Sequence, residues 1–392
     1  MTAAQPKGTV THPKGFRAAG VKAGLKQSGA RDLALVVNDG PLDIASAVFT
    51  SNRAKANPVL WSMEAIREGS TRAIVLNSGG ANCFTGEFGF ETSELTAKRV
   101  AELLGASPSQ VQVCSTGLIG EGGEEFRRDL LAGLPLAVQE LSGAGGGDAA
   151  EAILTTDSHA KTAVFEGPGW SIAGMAKGAG MLAPGMATML CVLTTDAVVS
   201  QEDADAALEF AVGATLNRLD SDGCMSTNDQ TTLLVSGASG IAVPRDEFER
   251  ALCGVCLDLA LQLQGDAEGS SHDIAIEVKG AATEADAVEV GRSIARNNLF
   301  KAAVFGNDPN WGRILAAVGT TSATFDPYDI DVWINGVRVC SKGGPDQPRS
   351  AVDMQPRQVD VVVNLRAGDE SATIWTNDLT HDYVHENSAY SS

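Results

Sequence analysis

The chain has 392 residues, 44% of them hydrophobic and 20% charged, with a formal charge of −20. That length and balance predict a globular protein of two or three domains, or one large one, with a sizeable core. Acidity on this scale argues against a nucleic-acid partner, and no stretch approaches the roughly 18 apolar residues of a membrane span. The first 31 residues carry six Lys or Arg and no acid, but no apolar run follows them, so the chain reads as intracellular and cytoplasmic.

In chain order, short β-branched runs predict strands at 32–37, 45–50 and 72–76, a helix at 91–104 and a strand at 111–114. A helix follows at 124–141. The Gly-rich segment SGAGGGD at 142–148 reads as a connecting loop, because no Gly-Lys-Ser/Thr follows to make it a phosphate loop. Next come a strand at 189–195, a helix at 202–217 and a strand at 231–235. Ser200 and Asp203 sit at the spacing of a capping pair at the start of the 202–217 helix.

At 246–264, Phe248, Leu252, Val255, Cys256, Leu259 and Leu263 recur at helical spacing. That helix carries Cys253 and Cys256, a CxxC that could suggest zinc or redox chemistry. No second CxxC completes a four-thiolate site, and seven cysteines is an odd number, so these read as helix thiols and no metal is expected. A strand at 273–278 and a helix at 283–296 precede three further strand signals at 330–339, 359–365 and 372–376. Asn335-Gly336 divides the first of these into a hairpin, since Asn-Gly suits a type I′ turn. His381 and His385 have i, i+4 spacing but no adjacent Glu to make a zinc site, and the segment reads as a solvated tail. Strands and helices in this mixed order predict an α/β (α+β) or layered protein rather than strict βαβ alternation.

The segment with the most chemical content is 174–195, GMAKGAGMLAPGMATMLCVLTT. A lysine, Lys177, precedes a bend of small residues, and Thr188 opens an apolar strand. Small residues let backbone approach a ligand closely. A threonine hydroxyl needs an adjacent base to act as a nucleophile. If the Ala187–Thr188 bond breaks, the new α-amine of Thr188, with a pKa near ~8, supplies one. Thr188 could promote that cleavage itself by an N→O acyl shift. On pattern alone, a polar residue at a strand start is the plainer reading.

The run from Lys177 to Leu190 resembles the signature of the glutamate N-acetyltransferase family, the ornithine acetyltransferases of arginine biosynthesis. Other blocks match in order along nearly the whole chain. They include Pro13–Arg17, Asn77–Asn82, Cys114–Ile119, Thr155-Thr156-Asp157, Asp220–Gly223, Ser226–Asp229, Asp266–Gly269, Gly306–Arg313 and Glu386–Ser392.

The resemblance implies a layered αββα fold, similar to the amino-terminal-nucleophile (Ntn) hydrolases in chemistry but not in topology, with two packed lobes and the site between them. It implies self-cleavage between Ala187 and Thr188, giving an α chain 1–187 and a β chain 188–392 that assemble as α2β2 or larger. Thr188 matches the nucleophile, and Thr116 and Gly117 the oxyanion-hole pair. Thr155, Lys177, Thr188, Glu268, Asn387 and Ser392 match substrate-binding positions, with Thr156 a second candidate beside Thr155.

The implied reaction is ping-pong: Thr188 takes acetyl from N-acetylornithine and glutamate removes it, with no metal or cofactor. Acetyl-CoA stays open as a second donor. Two other readings remain: a related self-processing aminopeptidase that passes acyl groups to water, and a non-catalytic binding protein of the same fold.

Overall fold

The computed structural model describes residues 8–183 and 189–389. Its first part contains β1 (Phe16–Val21), β2 (Leu33–Asn38), β3 (Ile44–Phe49), α1 (Asn57–Ala65), β4 (Ala73–Asn77), α2 (Gly86–Leu104), β5 (Val111–Ser115), α3 (Glu124–Gln139) and α4 (Gly146–Ala152). Then come β6 (Lys161–Glu166), β7 (Ser171–Lys177), β8 (Leu190–Thr195), α5 (Gln201–Ala214), β9 (Gln230–Val235) and α6 (Arg245–Gly265). The last part holds β10 (Asp273–Ala281), α7 (Glu284–Ala295), α8 (Asn298–Phe305), α9 (Trp311–Val318), β11 (Asp331–Ile334), β12 (Val337–Ser341), β13 (Gly344–Pro345), β14 (Gln358–Asn364), β15 (Glu370–Asn377) and α10 (His381–Ala389).

Four strands in the order β1-β2-β4-β5 form one sheet, and five in the order β3-β9-β8-β7-β6 form a second. Their inner faces share one core, in which Val36, Ile74 and Leu76 meet Met175, Leu190, Val192 and Leu234. On the outer face of the first sheet, Leu35, Val75 and Val113 pack with Val100 of α2 and Leu130 and Leu134 of α3. On the outer face of the second, Leu193 and Leu233 pack with Leu208 of α5 and with Phe248, Leu252 and Leu259 of α6. The layers therefore run helix, sheet, sheet, helix. Residues on both faces of a central strand are buried, which is why β2, β7, β8 and β9 show no alternation. A second lobe is built on the six-stranded sheet β13-β12-β11-β14-β10-β15, whose core joins Ile276, Val361 and Ile374 to Val290, Ile294 and Phe300 of α7 and α8.

Local chemistry explains several boundaries. The Ser200 side chain accepts the Asp203 N–H at the start of α5. Asn335 and Gly336 both have positive φ, at 46° and 79°, and Ile334 pairs with Val337 across that turn. Cys253 and Cys256 are free thiols on α6, with Cys256 buried in the core.

Three expectations need correction. The Gly-rich 142–148 segment is a loop only in its first half, because α4 starts at Gly146 and packs on β1 and β2. The 381–385 segment is solvent-exposed but helical, and the His381 ring sits edge-on to Phe305 at 5.5 Å. The helix expected to run to 217 ends at Ala214 and tightens into a 3-10 turn over Leu216–Arg218.

Phe248 is fully buried and stacks obliquely against Trp170, with ring centroids 6.1 Å apart. Phe248→Ala should cost about 3–5 kcal/mol of stability, measured by urea unfolding. A loss below about 1 kcal/mol would mean that this helix is not a pillar of the sandwich.

Candidate active site

Two strand ends, one from each sheet, meet at a single polar cluster. Lys177 closes β7 and Thr116 directly follows β5. The Lys177 ammonium donates to Thr116 Oγ1 at 3.2 Å and to Thr155 Oγ1 at 2.8 Å. An ammonium cannot accept, so Thr116 Oγ1 is the acceptor, and among the described residues its own hydroxyl hydrogen is free to donate. The ammonium has three N–H groups, so among the described residues one remains for a ligand. Backbone bonds hold Thr116: its N–H donates to Asn77 O at 2.9 Å, and its carbonyl accepts from Gly80 N at 3.1 Å. Gly117 has φ +127°, and a Cβ there would stand 2.9 Å from Gly80 N. Only glycine fits this conformation against that backbone.

Lys177 is 1% exposed and Lys161 fully buried, so two cations lie out of water. Asp157 balances them. Its Oδ1 accepts from Lys161 Nζ at 2.6 Å and from Gly178 N at 2.6 Å, and its Oδ2 from Thr155 N at 3.1 Å. Asp266 is the second carboxylate on Lys161. Burial alone would push the Asp157 carboxyl up, but Lys177, Lys161 and the bonds from Lys161 and Gly178 bring it down to about 2. Burial lowers the Lys177 pKa, opposed by Asp157 and reinforced by Lys161.

The other side of the site comes from the junction with the second lobe and the C-terminal helix. Glu268 lies just past α6, held by its N–H donating to Ala179 O at 3.0 Å. Asn387 of α10 donates from Nδ2 to Glu268 Oε2 at 3.0 Å. The helix can come this close because position 269 is glycine: its φ is +61°, and a Cβ would stand 2.2 Å from Tyr383 N. The Thr380 hydroxyl donates to Gly269 O, pinning the start of α10.

Thr116, Gly117, Thr155, Thr156, Lys177, Glu268 and Asn387 line one cavity of about 110 Å³. Every sequence-predicted binding or oxyanion residue that is described lies there. Ala187, Thr188 and Ser392 lie outside the described residues. The chain re-enters the description at Met189, whose N–H donates to Asp229 Oδ1 at 2.8 Å. Sequence reasoning assigned no role to Asp157, Lys161, Asp229 or the 226–228 turn, although Ser226, Thr227 and Asn228 also line the cavity. Asp157 and Asp229 stood inside matched blocks, but their burial and partners depend on chain segments far away in sequence. Among the described residues no group of three or more His, Cys, Asp and Glu could hold a metal ion.

Holding the Asp157 carboxyl at about 2 rather than its ordinary 3.8 contributes about 2 kcal/mol of stability. For a depressed carboxyl this stability is present above pH ~4 and lost as pH falls toward about 2. Asp157→Asn should therefore cost on the order of 3–5 kcal/mol near neutrality, because two buried lysines lose their shared counter-charge. Unfolding measured against pH should show the gap between variant and parent narrowing in acid. Equal stability near neutrality would show that the lysines do not need Asp157.

The ArgJ family model matches residues 17–392. The arginine biosynthesis bifunctional protein ArgJ of Streptomyces coelicolor is 57% identical over 384 residues, covering 98% of this chain and 100% of that protein. The ArgJ protein of Bifidobacterium longum is 52% identical over 392 residues, covering 98% of this chain and 100% of its own. Among solved structures, a chain of the ornithine acetyltransferase of Mycobacterium tuberculosis, complexed with ornithine, is 50% identical. That match has a TM-score of 0.44 and covers 45% of this chain and 94% of that one. With its family model matched from Arg17 to the last residue, this chain belongs to the ArgJ family.

Proposed function

We propose that this protein moves acetyl from N-acetylornithine to glutamate by ping-pong chemistry through an acetyl ester on Thr188. The reading rests on one observation: Thr116, Gly117 and Lys177 line a single cavity beside the start of β8, the strand that follows Thr188.

Self-cleavage between Ala187 and Thr188 comes first, giving chains 1–187 and 188–392. The released α-amine, with a pKa near ~8, then serves as base for the Thr188 hydroxyl. Attack on the acetyl carbonyl develops negative charge on its oxygen. The free Thr116 hydroxyl hydrogen and the Gly117 N–H are the donors for that charge, each contributing about 3–4 kcal/mol in sites of this type. The remaining Lys177 N–H answers the substrate carboxylate, and Glu268, steadied by Asn387, answers the δ-ammonium of ornithine. Ornithine leaves, and the glutamate amine takes the acetyl group. Amide and amine exchange at similar energy, so the scheme needs no metal, cofactor or ATP.

The relatives are described as bifunctional, which favours acetyl-CoA as a second donor. The proposal includes an assembly of α and β chains as α2β2 or larger and a cytoplasmic location. Among the described residues no helix is long and apolar enough to cross a membrane.

Thr188→Ala should leave one 40.5 kDa species by denaturing mass spectrometry and no transfer activity. A variant that still splits and transfers would sink the assignment. Glu268→Gln should raise KM for N-acetylornithine about tenfold or more, the order expected when a charge-assisted contact is lost. An unchanged KM would remove Glu268 from substrate recognition.

A further inference from the structure

The scheme above needs two oxyanion donors, the Thr116 hydroxyl and Gly117 N–H, held in a fixed place relative to β8, the strand that follows Thr188. The donors follow β5 of one sheet, and β8 belongs to the other. Apolar packing between the sheets is non-directional, so it does not by itself fix such a position.

Asn228 makes a directional tie at the cavity wall. It is 4% exposed, lines the cavity, and stands in the turn before β9. Its Nδ2 donates to Ala81 O at 2.6 Å and to Ser115 O at 2.9 Å. Carbonyl oxygens only accept, so the amide turns its nitrogen toward them, and its Oδ1 accepts from Thr227 Oγ1 at 2.7 Å. Both amide hydrogens are spent on backbone, which leaves none to donate to a ligand.

Those two carbonyls belong to the oxyanion loop and its neighbour. The Ser115 C=O shares a peptide group with the Thr116 N–H, which donates to Asn77 O at 2.9 Å. With Asn228 on its oxygen, that peptide is held at both edges. The next peptide has its oxygen on Gly80 N at 3.1 Å. A trans peptide points its N–H opposite to its C=O, so the Gly117 N–H faces away from Gly80. Asn228 also steadies Gly80, by holding the carbonyl of the next residue, Ala81. On the same turn, Asp229 Oδ1 accepts the Met189 N–H at 2.8 Å, and Gln230 N donates to Met189 O at 3.2 Å. The residues directly after Asn228 therefore grip the entry to β8.

We propose that Asn228 is a positioning residue for acetyl transfer, tying the loop that carries Thr116 and Gly117 to the turn that holds the entry to β8. This inference rests on the acetyl transfer proposed above. Without the amide, the Ser115 and Ala81 carbonyls lose that partner and the loop is free to shift. A displacement of about 1 Å in such a site costs on the order of a hundredfold in rate. Substrate charges are met elsewhere, by Lys177 and Glu268, so binding is kept.

The test compares the parent with Asn228→Ala, Thr227→Val and Thr227→Ser in steady-state transfer from N-acetylornithine to glutamate. Each rate is divided by the fraction of chain cleaved, read by intact mass. Asn228→Ala should lower kcat about tenfold to a hundredfold and leave KM for N-acetylornithine within about twofold. Thr227→Val removes the hydroxyl that orients the amide and should lower kcat about threefold or more, while Thr227→Ser should restore most of that loss. Parent kcat in Asn228→Ala overturns the inference. So does a KM raised about tenfold or more, which would mean that Asn228 shapes the substrate wall and not the oxyanion donors. If Asn228→Ala does not fold or stays whole, the Thr227 pair decides, and equal kcat in Thr227→Val and Thr227→Ser overturns the inference. A parent without transfer activity removes the acetyl-transfer reading and this inference together, whereas parent transfer indifferent to these substitutions removes the inference alone.

Discussion

Everything around the cavity depends on one carboxylate, Asp157, placed between two buried lysines. Lys161 and Lys177 are 0% and 1% exposed, a burial that carries a penalty of several kcal/mol for each ion in a protein interior. With Asp266 as second anion, the four groups balance in charge. The balance does more than neutralise. Through Gly178 N, Asp157 holds the backbone just after Lys177, and through Thr155 N it holds the residue whose hydroxyl accepts from the Lys177 ammonium. Thr116 receives its bond, and keeps its hydrogen free, only because Lys177 is held in that place.

Sheet topology puts the other participants within reach. β7 is antiparallel to β8, and β8 is parallel to β9, so Lys177 pairs with Leu190, which pairs with Gln230. The end of one strand and the starts of two others therefore stand in a row along one end of the sheet. Lys177, Met189 and Asp229 sit there because of strand direction, with no long loop needed to gather them. Across the inter-sheet core, β5 delivers Thr116 to the same end. The second lobe adds Glu268 and α10, which closes over the cavity because Gly269 offers no side chain against it.

Much of this was legible in the sequence where residues were large and periodic. The α6 stripe from Phe248 to Leu263 and the Asn335-Gly336 turn each carried a local physical signal, and both appear as expected. β1, β6 and β7 were not seen. FRAAGV and SIAGMAK are rich in Ala and Gly, and KTAVFE has a charged residue at each end, so little marks them as strands. What makes them strands is pairing with distant partners. α4 was missed because glycines open it, and it is held by packing on β1 rather than by propensity. The candidate site was legible as a set of types through family resemblance. Its supports, Asp157 and Lys161, were not, because a buried counter-charge looks in sequence like any surface Asp or Lys.

The same site shifts two buried carboxyls in opposite directions close to the same lysine. Asp157 has two lysines and backbone N–H donors, and its pKa falls to about 2 despite burial. Asp229 is fully enclosed, with Lys177 as the cation acting on it, and burial wins. Two cations and N–H donors decide the direction at Asp157, and enclosure decides it at Asp229. The division also explains why the surplus of acid over the whole surface does not keep an anionic substrate out of the cavity. Of the carboxyls nearest Lys177, Asp157 is already spent on lysines, and burial raises the Asp229 carboxyl well above its ordinary value. Glu268, held by Asn387, then carries the negative charge at the cavity wall, with the Lys177 ammonium across from it. A cavity with one cation and one anion on separate walls suits an amino acid, whose own charges are separated in the same way.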